Sequence, residues 1–282
     1  MRLTILVASI CFSLSVLAQD SIPAKKRLNL IRYGGLTTYA AGMIGLNELW
    51  YSKTPRESFH FFNDAAEWKQ VDKLGHFYSA FQVSYMLNKT FRWAGVKEKR
   101  GAVSSSIIGF GILSSIEIFD GFSSGYGASI SDLAANATGS ILCWGQMAAW
   151  QEVRIYPKFS FSPTSFAGQN PDLLGNNPIG EILKDYNGQT YWLSVDMDKF
   201  INFPKWLNLS IGYGANGMVN ARDNQNIDPY RQYYVGIDFD LTSIHAKSKI
   251  LNGLIFFVNM IKLPAPTIEF SAKGTRAHVL FF

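Results

Sequence analysis

Three short motifs in the middle of the chain carry side chains that can hold or transfer protons. The motifs contribute Asp72, Lys73 and His76 from V-D-K-L-G-H, Glu117 and Asp120 from E-I-F-D, and Asp132 and Asn136 from D-L-A-A-N. Histidine titrates near neutral pH, so His76 is a candidate general acid or base. Asp72 lies four residues earlier and would share a helix face with His76, which suits orientation of the ring. Lys73 is a candidate holder of an anionic group.

The carboxylates extend this candidate site. Glu117, Asp120 and Asp132 are candidate catalytic or acidic groups, and the outer ligand-binding candidates are Asn136, Ser79 and Glu48. One histidine among carboxylates suits a hard or borderline cation. The sequence has no H-E-x-x-H or similar spacing, so we predict no metal site and leave the cofactor open.

A structural interpretation of the same residues stays open. Asp72 and Asp132 are well placed to begin helices, where carboxylates interact favourably with the helix dipole. Lys73 would then pair with a carboxylate across the helices, Glu117 or Asp120, and Asn136 would form a hydrogen bond between helices. Such a network fixes a unique packing without chemistry.

Four long apolar segments must position these motifs. Residues 28–51, 72–94, 102–119 and 130–150 are predicted to be helices. If neighbouring helices run antiparallel, all three motifs lie at one end. We therefore predict an antiparallel four-helix hydrophobic bundle over residues 28–155. Each helix is about long enough to cross a bilayer, and the alternative is a bundle that lies in the periplasm or against a membrane.

The second half of the chain has a different pattern. Prolines, glycines and asparagines predict an irregular linker over residues 156–180. Alternating apolar residues follow and predict strands near 191–197, 207–214, 233–241, 267–273 and 276–282, interrupted by a candidate helix within 244–263. Residues 181–282 should form a small antiparallel β region. The expected fold class is α+β.

The beginning of the chain and its composition indicate where the protein resides. Residues 1–18 have the pattern of a signal peptide, and Ile10 before Cys11 argues against a lipidation site. The chain is 48% hydrophobic and 17% charged, against about 25% charged in ordinary soluble domains. A partly apolar surface points to membrane lipid or an envelope component as partner. No basic stripe carries interleaved aromatics, so we predict no nucleic-acid binding.

The three motifs also carry a family resemblance. D-K-L-G-H-F-Y-S-A-F, E-I-F-D-G-F and S-D-L-A-A-N-A-T-G resemble the YfiM-like envelope proteins of unknown function. More distantly, they are similar to the VanZ-like membrane proteins, whose pattern is D-K-x-x-H-F, E-x-x-Q and D-x-x-A-N-x-x-G. The resemblance covers about residues 45–150, and Asp120 stands where the VanZ-like pattern has glutamine. It implies an envelope protein with four hydrophobic helices and a polar site.

Two functional hypotheses follow. The first is an exported, membrane-associated envelope protein, with the inner or outer membrane and the protein partners left open. Its polar Asp/His/Glu pocket at one end of the bundle binds a ligand or fixes the packing. The alternative is an enzyme that acts on a lipid-linked or phosphorylated envelope substrate through His76 and the clustered carboxylates.

Overall fold

The computed structural model describes residues 23–51, 54–222 and 227–282, apart from the side chain of residue 49. The predicted signal peptide and Cys11 lie outside these residues. Among them are seven α-helices and one six-stranded antiparallel sheet, which confirms the predicted α+β class. The helices are α1 (Ala24–Leu46), α2 (Val71–Trp93), α3 (Glu98–Gly121), α4 (Ile130–Trp150), α5 (Pro171–Leu174), α6 (Pro178–Lys184) and α7 (Lys249–Val258). The strands are β1 (Ile155–Phe161), β2 (Gln189–Val195), β3 (Leu207–Asn216), β4 (Tyr230–Phe239), β5 (Ala265–Ser271) and β6 (Gly274–Phe281).

The chain divides into two compact units. The helical unit comprises the chain up to Asp64 and Ser79–Glu152. The sheet unit comprises Ala65–Tyr78 and Val153–Phe282. Helix α2 contributes its first residues, up to Tyr78, to the sheet unit and the remainder to the helical unit.

Small residues allow the helices of the helical unit to approach closely. A Cβ atom at Gly109 of α3 would lie 2.2 Å from the Ser84 Oγ atom of α2, so only glycine fits there. The same Ser84 hydroxyl lies 3.2 Å from the Ser140 Oγ atom of α4. Helices α2, α3 and α4 therefore meet at glycine and serine, as closely packed apolar helices often do.

Helix α1 is peripheral to this packing. All of its residues are described, and only Thr38 is buried, while Tyr33 and Leu36 are 72% and 67% exposed. Its attachment includes a hydrogen bond of 2.9 Å from the Tyr39 hydroxyl to the Ser115 Oγ atom of α3. The four long helices lie where the sequence predicts them, but a four-helix bundle is not confirmed. Within the described chain, α3 is the one helix long and apolar enough to cross a membrane by length and composition.

The sheet follows chain order, β1-β2-β3-β4-β5-β6, and each strand pairs antiparallel with the next. Strand β1 occupies the first part of the segment that the sequence predicts to be an irregular linker. A strand can form there despite Pro157 because β1 lies at the edge of the sheet, and the proline nitrogen faces away from β2. On that outer side, the Phe159 N–H donates to the Met260 carbonyl at 3.1 Å.

The two faces of the sheet have an unusual polarity. Lys158, Ser194 and Asp238 on one face are at most 1% exposed. The opposite face presents Ile211 and Val235, which are 57% and 51% exposed. An antiparallel sheet with one solvated face normally has the reverse arrangement.

Candidate functional site

A loop of the helical unit lies along the connection between α3 and α4. The His60 N–H donates to the Gly121 carbonyl at 2.9 Å, and the Ala128 N–H donates to the His60 carbonyl at 3.0 Å. A Cβ atom at Gly121 would lie 2.3 Å from the Phe59 ring, so glycine permits the close approach. This docking brings Asp64, at the end of the loop, to the start of α4.

Ser129 joins Asp64 to the first turn of α4. As the N-cap residue, it accepts a hydrogen bond of 3.0 Å from the Asp132 N–H through its Oγ atom. The same hydroxyl donates to Asp64 Oδ1 at 2.5 Å, and the Ser131 hydroxyl donates to that oxygen at 2.8 Å. One carboxylate oxygen of Asp64 therefore orders two serines at the helix start.

Glu117 of α3 reaches the same helix start. Its Oε2 atom accepts the Ser129 N–H at 3.0 Å, and the residue is 2% exposed. Burial, followed by the negative charge of Asp132, raises the pKa of Glu117 to about 8, although the bond from the Ser129 N–H opposes the shift. The Glu117 carboxyl is therefore mainly protonated at neutral pH.

Asp120 lies one turn further along α3. Its Oδ1 atom accepts a hydrogen bond of 2.7 Å from the Tyr51 hydroxyl. Burial raises the pKa of Asp120 to about 6, and the bond from Tyr51 partly opposes this rise. Burial and the nearby Asp120 charge also raise the pKa of Tyr51 far above its ordinary value, so the phenol remains a hydrogen-bond donor.

Asp64, Glu117, Asp120 and Asp132 form the carboxyl cluster of the helical unit. The pKa values of Glu117 and Asp120 lie on either side of neutral pH, where a side chain is most useful as an acid or a base. The partial positive charge at the start of α4 stabilises those carboxyls that are ionised. The cluster can therefore hold, release and accept protons.

Other predicted residues of the helical unit lie at different depths. Asn136 is fully buried on α4, one turn after Asp132. Ser79, on α2, is half-buried. Glu48 is exposed and belongs to a π-helical turn, Asn47–Tyr51, that follows α1.

The first motif belongs to the sheet unit. Asp72 is buried in the first turn of α2, and its Oδ2 atom accepts a hydrogen bond of 2.9 Å from the neighbouring Lys73 Nζ atom. His76 lies on the same helix and is half-buried. A Cβ atom at Gly75 would lie 2.9 Å from the Tyr191 hydroxyl, so glycine lets α2 begin close to β2. The roles of Asp72, Lys73 and His76 as candidate catalytic groups stay predictions from the sequence.

Three residues that organise the cluster were not predicted from the sequence: Asp64, Ser129 and Tyr51. Ser129 had a readable signal, because S-x-x-D before an apolar run fits a helix-capping motif. Asp64 lies in a loop without periodicity, and Tyr51 ends an apolar segment like many other tyrosines. Only the fold brings those two to the carboxylates.

Part of the chain matches a known protein family. Residues 60–144 are similar to the family described as "Predicted periplasmic lipoprotein (DUF2279)", whose function is unknown. The matched segment is less than half of the chain but contains the whole carboxyl cluster. No curated protein and no solved structure matches the chain.

The family description agrees with an exported, periplasmic envelope protein of unknown function. It also says lipoprotein, whereas the sequence around Cys11 predicts no lipidation. The matched segment begins at residue 60 and therefore does not test Cys11.

Proposed function

We propose that this protein is an exported, membrane-associated component of the cell envelope whose helical unit binds a polar envelope ligand at the carboxyl cluster. The observation that carries the proposal is the environment of Glu117. This residue is 2% exposed, is held by the Ser129 N–H, and keeps a proton at neutral pH beside the charge of Asp132.

The charge of the cluster limits the kind of ligand. A protonated Glu117 can donate a hydrogen bond to a ligand, and the surrounding carboxylates can accept hydrogen bonds from it. Negative charge on Asp64 and Asp132 repels an anion and attracts a cation. The cluster therefore suits a hydroxyl-rich or cationic head group better than a phosphate.

The family description and the resemblance support the envelope location. The matched family is described as periplasmic, and its segment carries the cluster. Membership of the YfiM-like family, with a distant relation to the VanZ-like proteins, is part of this proposal.

The second candidate function is an enzyme acting on a lipid-linked or phosphorylated envelope substrate. The pKa values of Glu117 and Asp120, about 8 and about 6, favour it because they suit an acid and a base working at the same pH. In this function His76 would transfer the proton, Asp72 would orient its ring, and Lys73 would hold an anionic group of the substrate. Glu117, Asp120 and Asp132 would supply the acidic groups.

Complementation of a gene deletion separates these functions. Glu117→Gln keeps the shape, a neutral hydrogen-bond donor and the bond from Ser129, but it cannot ionise. Glu117→Ala removes the donor, and Glu98→Ala at the exposed start of α3 is its matched control. Under the proposed function, folded Glu117→Ala fails to restore envelope integrity, while Glu117→Gln, Glu98→Ala and His76→Ala restore it. Failure of folded Glu117→Gln and His76→Ala supports the enzyme. Full complementation by Glu117→Ala would overturn both functions.

A further inference from the structure

In the sheet unit, one face of the sheet is buried and polar, and the opposite face is exposed and apolar. On the inner face, Lys158 Nζ lies 2.7 Å from Asp238 Oδ2, and both side chains are at most 1% exposed. Lys158 also donates to the Phe239 carbonyl at 2.8 Å, and Asp238 accepts from the Ser194 hydroxyl at 2.6 Å. The buried face of this sheet therefore contains a paired lysine and aspartate, which are costly to bury.

Further polar groups line the same inner face. Glu269 of β5 is 2% exposed and lies 2.9 Å from both the Gln232 Nε2 atom and the His278 Nε2 atom. Lys262 is fully buried, with its ammonium 4.5 Å from the centre of the Trp192 ring. A sheet that buried its apolar face would avoid all of these desolvation costs.

The outer face carries the apolar side chains instead. We define it by six residues of β3, β4 and β5 that are 42–57% exposed: Leu209, Ile211, Tyr233, Val235, Ile268 and Phe270. The pairing places Ile211 opposite Val235, and Val235 opposite Ile268, so these aliphatic side chains form a continuous row. Contiguous exposed apolar surface of this kind marks a contact with lipid or protein.

Aromatic residues border the aliphatic rows at both ends. At one end Tyr233 pairs with Phe270 across β4 and β5. At the other end Phe239 of β4 stacks on Trp206, with ring centres 6.1 Å apart. Tyr233 and Phe239 are six residue steps apart along β4, or about 20 Å. An aliphatic band between aromatic borders, with polar groups on the opposite face, is the pattern of strands that face lipid.

Helix α7 of the same unit adds a second apolar surface. Ile250, Leu254 and Val258 follow one another at intervals of four and are 43–47% exposed. Lys247 and Lys249 lie at the beginning of this helix. An exposed apolar stripe with lysines at its end is typical of a helix that lies in a membrane interface.

We propose that the outer face of the sheet lies against the acyl chains of a bilayer. The reversed polarity identifies lipid as the occupant, because an outward apolar face and a polar interior are favourable together only where the surroundings are apolar. This inference deepens the membrane association in the proposed function by assigning the contact to the sheet unit. It does not depend on the carboxyl cluster, so either can fail alone.

A fluorophore at residue 235 tests the contact directly. Val235→Cys in the full exported chain is labelled with bimane, and native Cys143, which is fully buried, is not expected to react. Asp172→Cys, on an exposed position of α5, is the matched control. The labelled chains are mixed with phosphatidylethanolamine–phosphatidylglycerol vesicles that have brominated or ordinary acyl chains. We expect brominated lipid to quench the label at 235 severalfold and to leave the label at 172 unchanged.

Three results would overturn the proposal. The first is that the protein does not bind the vesicles. The second is that brominated lipid does not quench the label at 235 in the bound protein. The third is that unlabelled protein, added without lipid, changes the fluorescence of the label, which would show a second copy on this face.

A variant that combines Ile211→Thr, Val235→Thr and Ile268→Thr supplies a second measurement. Threonine keeps the strand propensity, and we expect vesicle partitioning to fall about 10-fold or more. The matched variant with Ile211→Val, Val235→Ile and Ile268→Val should bind like the wild type.

Discussion

The Glu117 carboxyl group accepts a hydrogen bond of 3.0 Å from the Ser129 N–H, so the end of α3 is bonded to the residue that caps α4. This one bond holds a titratable group at a helix start. The stability and the protonation of the cluster therefore depend on the same atoms, and so does the ligand binding that we propose.

The pH dependence of stability should report on Glu117. Its pKa is raised from 4.5 to about 8 in the folded protein, so between these values the folded state binds a proton that the unfolded state has released. Stability is thus retained below pH 4.5 and falls as the pH rises to about 8, by at most about 1.4 kcal/mol per pH unit. Asp120 adds a smaller loss of the same sign between pH 3.8 and about 6.

Thermal unfolding at a series of pH values measures this slope. Glu117→Gln should flatten the slope between about pH 6 and 8, and Glu98→Gln should leave it intact. A wild-type protein whose stability is constant over this range would contradict the predicted shift.

Replacing the capping serine should loosen the loop that carries Asp64. Ser129→Ala removes the acceptor for the Asp132 N–H and one donor to Asp64, and we expect a loss of about 1–2 kcal/mol. Ser131→Ala removes only the second donor and should cost less, about 0.5–1 kcal/mol. Unfolding midpoints of the two variants compare these losses, and equal losses would refute the capping role.

Two glycines of α3 offer a matched pair. A Cβ atom at Gly121 would meet the Phe59 ring at 2.3 Å, so Gly121→Ala should displace the loop and cost about 1–3 kcal/mol. Gly111 has nothing within 4 Å of its added Cβ, and Gly111→Ala should stabilise the helix by up to about 1 kcal/mol. Opposite shifts in melting temperature are expected, and shifts of the same sign would contradict the close contact.

Removing one partner of the buried Lys158–Asp238 pair should destabilise the protein more than replacing both partners. Lys158→Met removes the ammonium that lies 2.7 Å from the buried Asp238 carboxylate, and we expect a loss of about 3–5 kcal/mol. Lys158→Met with Asp238→Leu should recover most of this loss, because an apolar pair avoids the desolvation of both charges. Lys205→Met, at an exposed lysine of the same unit, is the control for thermal unfolding. An additive double variant would show that the two side chains do not interact.

Much of the secondary structure was predictable because its signals are local. The alternation in Y-Y-V-G-I-D-F-D-L predicted β4, and the length of the apolar run over 102–119 predicted α3. Alternation separates two faces of a strand but does not say which is inside. The burial of Asp238 and the exposure of Val235 therefore could not be predicted from the alternation.

Of the carboxyl cluster, only the residues that lie on helices were predictable. Glu117, Asp120 and Asp132 were found through their positions at the ends of apolar segments, and the structure places them close together. Asp64 depends on a loop docked by backbone hydrogen bonds, which leave no pattern in the sequence. The catalytic role of Glu117, Asp120 and Asp132 stays a prediction.

The pairing of Phe159 with the segment around Ile261 also affects how the sheet could assemble with other chains. A sheet grows by adding strands at its edges, and here the edge at β1 is already occupied at its middle. The edge at β6 ends the sheet, with Val279 and Leu280 82% and 70% exposed. A guest strand would therefore add at β6, and the occupied β1 edge would resist propagation of that addition into a filament.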